Sequence, residues 1–466
     1  MKPAASLRQL SRLPLFSRFT LRSAVLALSL AAGVAAGAAL IDDDPAPIKG
    51  GQGMGQPANW GNADQATPRP AGPHRGDLRW FQDLVDKAPA GSLLKPPAGT
   101  YAGPVVIDKP LIIDGSNGVV IDGGGKGTVL VLEGGETTLR DIRLTNSGAS
   151  HDSDDACLNL RKHNNTVERV TIDNCLFGID LKLANGNTLR DNRISSKPFD
   201  LGTRGDALRL WYSNNNRIEG NQIIDSRDMV AWYSNDNLYL NNVGRRSRYS
   251  IHFMFAARNI VDGNRFYGNA VGVYVMYSGG GAIRNNVFSH ATGATGMAIG
   301  FKEASDVTVE GNEIIYCGTG ITSDISPFEP GSQLIIRNNR IAFNVIGIRF
   351  VSDREGHVIE GNSFEGNMSH VAVDGAAGAM SNRWSGNYWD DYQGFDRNRD
   401  NVGDRPHEHY AFADQIWMEF PAARFFRNSP VMESLDFLER LAPFSTPTLI
   451  LRDEAPIFNK PAGAKS

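Results

Sequence analysis

Four runs in the middle of the chain, RLWYS (209–213), VAWYS (230–234), HFMF (252–255) and YVMYS (274–278), set Trp, His, Met and Tyr at alternating positions. Residues two apart on a strand share a face. If Leu208/Leu210, Ala231, Ile251/Phe253 and Val273/Val275 point inward, then Arg209/Trp211, Val230/Trp232, His252/Met254 and Tyr274/Met276 point outward. Thioether sulfur and imidazole are soft or borderline donors that suit Cu(I), so His252, Met254 and Met276 form a candidate site for transient copper. Trp211, Trp232 and Tyr274 beside them read as a partner-binding surface. Large apolar side chains outside a fold are commonly covered by another protein or by a loop of the same chain. Copper contact, a protein interface and packing under a loop are thus three readings of one stripe.

A second constellation, Asp396, Asn398, Asp400 and Asp404 with Gly403 before the last, spaces its oxygens as a calcium loop does. A hard cation needs several oxygens from a tightly turned backbone. The run lacks the bidentate Glu that closes an EF-hand, and a metal-free cluster of Asx turns has the same composition, so structural calcium and that cluster both stand. Enzyme chemistry is harder to find. A lyase or epimerase of acidic polysaccharides needs outward carboxylates beside Lys, Arg or His, which Asp206, Arg209, Arg227, Asp228, Arg246 and Arg248 could supply. Turn hydrogen bonding and ion pairing explain the same residues, and no GxSxG, HExxH or phosphate-binding motif occurs.

The elements that must position these groups are legible in a repeat. A short phrase, aliphatic, two polar residues, Asn, and another residue or two ending in an apolar one, recurs as LRDNRI (189–194), IEGNQI (218–223), VDGNRF (261–266), VEGNEI (309–314) and IEGNSF (359–364). Its fourth position falls on Ile142, Val170, Asn192, Asn221, Asn242, Asn264, Asn286, Asn312, Asn339, Asn362 and Asn387, at steps of 21 to 29 residues. That period is too short for a pair of helices, and β-branched residues alternate with polar ones at period two. Leucine-rich repeats would show a Leu-x-x-Leu-x-Leu frame, which is absent. An all-β fold follows, a right-handed parallel β-helix (solenoid) over about 100–395. Stacked coils put like residues above like, so the Asn should form an internal ladder at one turn, with amides bonded along the axis.

The chain has 466 residues, 41% of them hydrophobic, with 50 Gly, 23 Pro and a net charge of −4. It is too apolar for disorder and lacks the basic footprint of a nucleic-acid binder. Residues 1–45 differ from the rest: Arg8, Arg12, Arg18 and Arg22 precede the uncharged run Ser23–Ile41, which reads as an export signal or, at this length, an N-terminal membrane anchor. Gly- and Pro-rich residues 46–75 read as a flexible linker. Residues 76–135 should hold an N-terminal cap with a short helix at Asp77–Lys87 and the first coils, 136–395 the repeats, and 396–466 the acidic loop and a C-terminal helical cap with its helix at Ser429–Leu441. Cys157 and Cys175 lie about one coil apart and are expected as stacked interior thiols, a disulfide being the alternative.

Beyond the repeat, RGDALRLWYSNNNRIEGN (204–221), SRDMVAWYS (226–234), SRYSIHFMF (247–255), VYVMYS (273–278) and NYWDDYQGFDRNRDNVGD (387–404) together resemble the NosD family. The similarity extends from PPAGTYAGPVVIDKPLIIDG (96–115) through CLFGIDL (175–181) to SPVMESLDFLERLAP (429–443), with departures at Met229 and Ala257 that touch local turns. The resemblance implies a non-enzymatic, periplasmic accessory protein for the copper site of nitrous oxide reductase. It further implies work alongside an ABC transporter, made of an ATPase and a membrane subunit, and a copper chaperone lipoprotein. His252, Met254 and Met276 match the family's HFM and MYS positions, which makes them candidates for copper contact or chaperone docking.

Overall fold

The computed structural model describes residues 67–352, 354–374, 379–411 and 448–460, together with Ser434, Phe437 and Leu438. The chain divides into two units, Asn62–Ala411 with Thr446–Ser466, and Met1–Gly61 with Phe412–Ser445. The second lies outside the described residues apart from those three positions, which are helical. The segment expected as signal or anchor, and most of the expected cap helix at Ser429–Leu441, fall there. Among the described residues no helix is long and apolar enough to cross a membrane.

The first unit is a parallel β-helix. A coil consists of three short strands, as in Arg217–Glu219, Gln222–Ile224 and Asp228–Trp232. Strands of the third kind stack into a twelve-stranded parallel sheet that runs from Val105–Ile107 to Ser369–Val373. The other two kinds join through the corner between them into a bent sheet of 25 strands. Period-two alternation sends alternate residues of these three- and four-residue strands inward, among them Ile218, Val261, Val309 and Ile359 on the first face and Ile223, Phe266, Ile314 and Phe364 on the second, all buried. Coils vary in width. Gly244 takes the interior position above Phe266, where a Cβ would lie 2.9 Å from the Phe266 ring.

The corner between the first two faces carries the ladder. In the nine coils from Asn192 to Asn387, each Asn Oδ1 accepts both the backbone N–H and the Nδ2–H of the ladder residue one coil earlier, or the backbone N–H alone where that residue is Val170. Each Nδ2 also donates to a main-chain carbonyl, Leu189 O for Asn221 and Val261 O for Asn286. Both amide groups of a buried side chain are thereby paired, which is what makes burial of so polar a column affordable. The ladder begins at Asn192 because the earlier positions hold Ile142 and Val170. It ends on a carboxylate: Asp453 Oδ2 accepts from Asn387 N at 3.1 Å, Asn387 Nδ2 at 2.8 Å and Trp389 Nε1 at 3.2 Å.

Both ends of the solenoid are covered. At the N-terminal end the helix is shorter than expected, Gln82–Lys87, because Arg79–Trp80 pairs as a strand with Tyr101–Ala102. The Gln82 amide stands in for a missing strand, with Val106 N donating to its Oε1 at 2.8 Å and its Nε2 donating to Val106 O at 3.0 Å. An edge strand is so relieved of its unpaired groups. Residues 67–75, expected as the end of a flexible linker, lie along the first coils, with His74 N donating to Gly103 O and Arg75 paired with Asp122. At the other end an antiparallel pair, His407–Ala411 with Thr448–Asp453, delivers Asp453 to the ladder. Cys157 and Cys175 are joined as a disulfide, with Cα atoms 5.6 Å apart, in place of the expected free thiols. Both Sγ atoms point into the core across neighbouring coils, which is the geometry a bridge requires.

Candidate functional site

The third face carries the stripe on four successive strands, Leu208–Trp211, Asp228–Trp232, Tyr249–Met254 and Val271–Met276. Trp211, Trp232, Met254 and Met276 are successive register partners, and Lys302 follows in that column. Arg209, Val230, His252 and Tyr274 form the neighbouring column, followed by Gly300. The missing side chain at Gly300 lets the Tyr274 ring lie over the next coil, since a Cβ there would be 2.2 Å from Tyr274 Cδ2.

Of the three candidate copper ligands, the structure brings two into contact. His252 Nε2 lies 3.1 Å from Met276 Sδ, one coil on. Met254 is the register partner of Met276 in the same column and is half-buried like it. Donors bound to one tetrahedral ion at roughly 2.0–2.3 Å stand about 3.5 Å apart, so this pair needs only a small rotamer change to share an ion. His252 itself is only 9% exposed. Burial lowers its pKa to about 4, against the opposing pull of Asp228, so the ring is neutral and holds a nitrogen lone pair for a metal.

Two features escaped the sequence reading. Tyr249 stacks on His252 with ring centroids 4.8 Å apart, although regular alternation would place the two on opposite faces. A register shift between Asp228 and Val230 inserts one residue into the Tyr249–Met254 strand and re-aims Tyr249 outward. The second feature is a continuous ring stack just past the stripe. Tyr212, Tyr233, Phe255 and Tyr277 follow one another at 4.7, 5.2 and 4.9 Å, with interplanar angles of 14°, 5° and 15°. All four have positive φ, as do Leu183, Glu303 and Ile325 at the same corner, so the turn of the coil sets the backbone and the sequence supplies the rings. The signal was present in WYS, WYS, FMF and MYS, one residue beyond the strand. Beside the stack, Trp211 and Trp232 meet at 4.7 Å, and the buried Trp232 Nε1 lacks a hydrogen-bond partner among the described residues.

The carboxylates of the enzyme reading are engaged elsewhere. Asp206 accepts from Arg227 at 2.9 and 3.2 Å, Asp228 pairs with Arg248 and accepts from Tyr249 N, and Arg209 joins Asp180 at 2.8 Å. Burial pushes the Asp206 carboxyl up despite Arg227. Arg246 is paired with Asp225 on an exposed corner. In the acidic loop, Asp396 accepts from Asp400 N and Asn401 N, Asp400 from Val402 N, Asp404 from Arg397 N, while Asn398 Nδ2 donates to Asp400. Of the backbone bonds, Asp400 with Val402 N spans the two residues of an Asx turn, and the others cross the loop over longer spans.

Comparison with known proteins bears on both fold and site. The A-module of the mannuronan C-5 epimerase AlgE6 from Azotobacter vinelandii superposes with a TM-score of 0.50 at 15% identity, over 65% of this chain and 92% of the module, a likeness of fold. The family model described as "Periplasmic copper-binding protein (NosD)" matches residues 191–394, the span that contains the whole stripe. A "Probable ABC transporter binding protein NosD" from Stutzerimonas stutzeri is 27% identical over 368 residues, 74% of this chain and 82% of the relative. Its counterpart of the same name from Pseudomonas aeruginosa is 30% identical over 382 residues, 78% of this chain and 88% of the relative. With the Asn ladder and the stripe inside the matched span, and with a relative 30% identical over 78% of its own length, the chain belongs to the NosD family, whose members are described as periplasmic copper-binding proteins.

Proposed function

We propose that this protein is an exported scaffold for the maturation of the copper site of nitrous oxide reductase, with His252, Met254 and Met276 as the point where copper meets the solenoid. The observation that carries this reading is the contact of His252 Nε2 with Met276 Sδ at 3.1 Å, a borderline and a soft donor on a neutral, half-covered surface. The ring stack beside it, with Trp211, Trp232 and Tyr274, offers rigid aromatic area of the kind that anchors protein partners. That surface is assigned here to the copper chaperone, and through it to the ABC transporter and the reductase. An enzymatic reading as polysaccharide lyase or epimerase is disfavoured because Asp206, Asp228 and their arginines neutralise one another in ion pairs, which leaves no unpaired general base among them.

The test is Met254→Leu/Met276→Leu. Leucine keeps the apolar volume roughly constant, so the protein should fold and reach its usual level while thioether ligation is lost. Cells carrying the variant are expected to accumulate reductase with a deficient copper site. Normal reductase in those cells would overturn the copper role. Failure of Met276→Glu alone, with the double-Leu variant active, would assign the surface to docking.

A further inference from the structure

At the C-terminal end of the solenoid, three successive segments converge on one point. His370 lies on the last strand of the third face, Asp390 and Asp391 directly follow the strand Tyr388–Trp389, and His407 and His409 lie on the strand His407–Ala411. Asp391, His407 and His409 offer ligand atoms that all lie within 4.8 Å of one another. His407 and His409 are two apart on a strand and so can share a face.

One atom in this cluster lacks what burial requires. The His407 side chain is 6% exposed, stacks on Trp389 at 4.5 Å, and its Nε2 is buried without a hydrogen-bond partner among the described residues. Its nearest counter-group is Asp391 Oδ1 at 3.8 Å, too far for a hydrogen bond. Two atoms that each hold a zinc-sized cation at roughly 2.0–2.2 Å stand about 3–4 Å apart, so that gap is the right width for a shared ion. A buried nitrogen left unpaired destabilises the fold, and a ligated one does not.

His370 has a different part. Asn367 Nδ2 lies 3.2 Å from His370 Nδ1, and the Asn367 amide is oriented by Asn344 N and Nδ2 on its oxygen and by Ile341 O on its nitrogen. Nδ1 must therefore accept, which puts the proton on Nε2, where it donates to Asp390 Oδ1 at 2.9 Å. Imidazole donors that fix a carboxylate in this way are the usual support of a metal site.

We propose that Asp391, His407 and His409 bind a divalent borderline cation of the Zn²⁺ or Cu²⁺ class, with Asp390 beside them held by His370. Imidazole with carboxylate and no sulfur selects such ions over Cu(I), and too few oxygens converge for Ca²⁺. The site is separate from His252 and Met276 and does not rest on the function assigned to them. A bound ion would fasten the strand His407–Ala411 to the last coils, and that strand pairs with Thr448–Asp453, whose Asp453 ends the Asn ladder.

The test uses the full protein, stripped of metal and titrated with Zn²⁺ alone by calorimetry, with Co²⁺ as a spectroscopic probe. The Asp391 side chain is 50% exposed, so Asp391→Asn is expected to fold with an unchanged melting temperature in the absence of metal. Wild type should bind one Zn²⁺ at this site, gain melting temperature from it, and show a Co²⁺ ligand-field spectrum. Asp391→Asn and His409→Gln should each weaken Zn²⁺ binding about 100-fold and abolish the thermal gain, whereas Met254→Leu/Met276→Leu should bind as wild type does. Wild-type affinity in both Asp391→Asn and His409→Gln would overturn the proposal, as would loss of Zn²⁺ binding in the double-Leu variant.

Discussion

His252 shows how burial sets the chemistry of a single side chain. Its pKa of about 4 in the fold lies below the ordinary 6.5, so between those values the unfolded chain binds a proton that the folded one refuses. The stabilisation is complete above pH 6.5 and is lost as pH falls toward 4. A gap of about 2.5 units at 1.36 kcal/mol each amounts to roughly 3 kcal/mol over that window. His357, also near 4 and almost fully buried, adds a loss of the same sign. His252→Gln should therefore lose about 2–3 kcal/mol less than wild type between pH 7 and pH 4.5, read from urea midpoints at each pH. Equal losses in the two proteins would mean that the ring is not kept neutral. The same depression means that no second proton occupies the ring to compete with a metal at pH 5 to 7.

At the scale of the element, the Asn ladder is directional. Every rung from Asn192 donates through Nδ2 toward the C-terminal end and accepts through Oδ1 from the other side, so each interior position must do both. Asp453 needs only to accept, and a carboxylate there meets the donor end of a column of aligned dipoles, as an anion does at a helix N-terminus. Substitution should thus depend on position. Asn286→Asp should destabilise by several kcal/mol, because a buried carboxylate would face Asn312 Oδ1 and the Val261 carbonyl without a proton to give. Asp453→Asn should cost about 1 kcal/mol, since its oxygen can still accept, and Asp453→Ala about 3 or more, because Asn387 and Trp389 lose their acceptor. Equal costs for the two Asp453 variants, in chemical denaturation, would remove the argument.

Across the whole molecule, a solenoid is stable only if its ends are closed, since every interior coil is covered by neighbours and the terminal ones are not. Gln82 closes one end with a side-chain amide, and Asp453 with the segment around Ile457 closes the other. The acidic loop is tied into that second closure through Phe458 N to Asn401 O and Asn459 N to Asn401 Oδ1. Because the loop's carboxylates already accept backbone N–H groups, millimolar Ca²⁺ or a calcium-selective chelator should leave the melting temperature unchanged within a degree or so. A calcium-dependent rise of several degrees, abolished by Asp396→Asn, would show that the oxygens re-form around an ion.

The period of the repeat, the inward Asn and the two outward columns were legible in the sequence because each follows from local rules: alternation at period two, and stacking of like on like at a constant coil spacing. Family membership was legible in the coupling of WYS, HFM and MYS across coils. What no local rule contains is an event that changes register or joins distant segments. The inserted residue that turns Tyr249 onto His252 is invisible in a spacing count, since coils of 21 to 29 residues hide one more. The 3.1 Å contact of His252 with Met276 depends on rotamers chosen by packing. Asp453 lies 66 residues beyond Asn387, and His407 nears Asp391 only because its strand returns to the last coil, so the ladder's end and the cluster at Asp391 were settled by the tertiary fold.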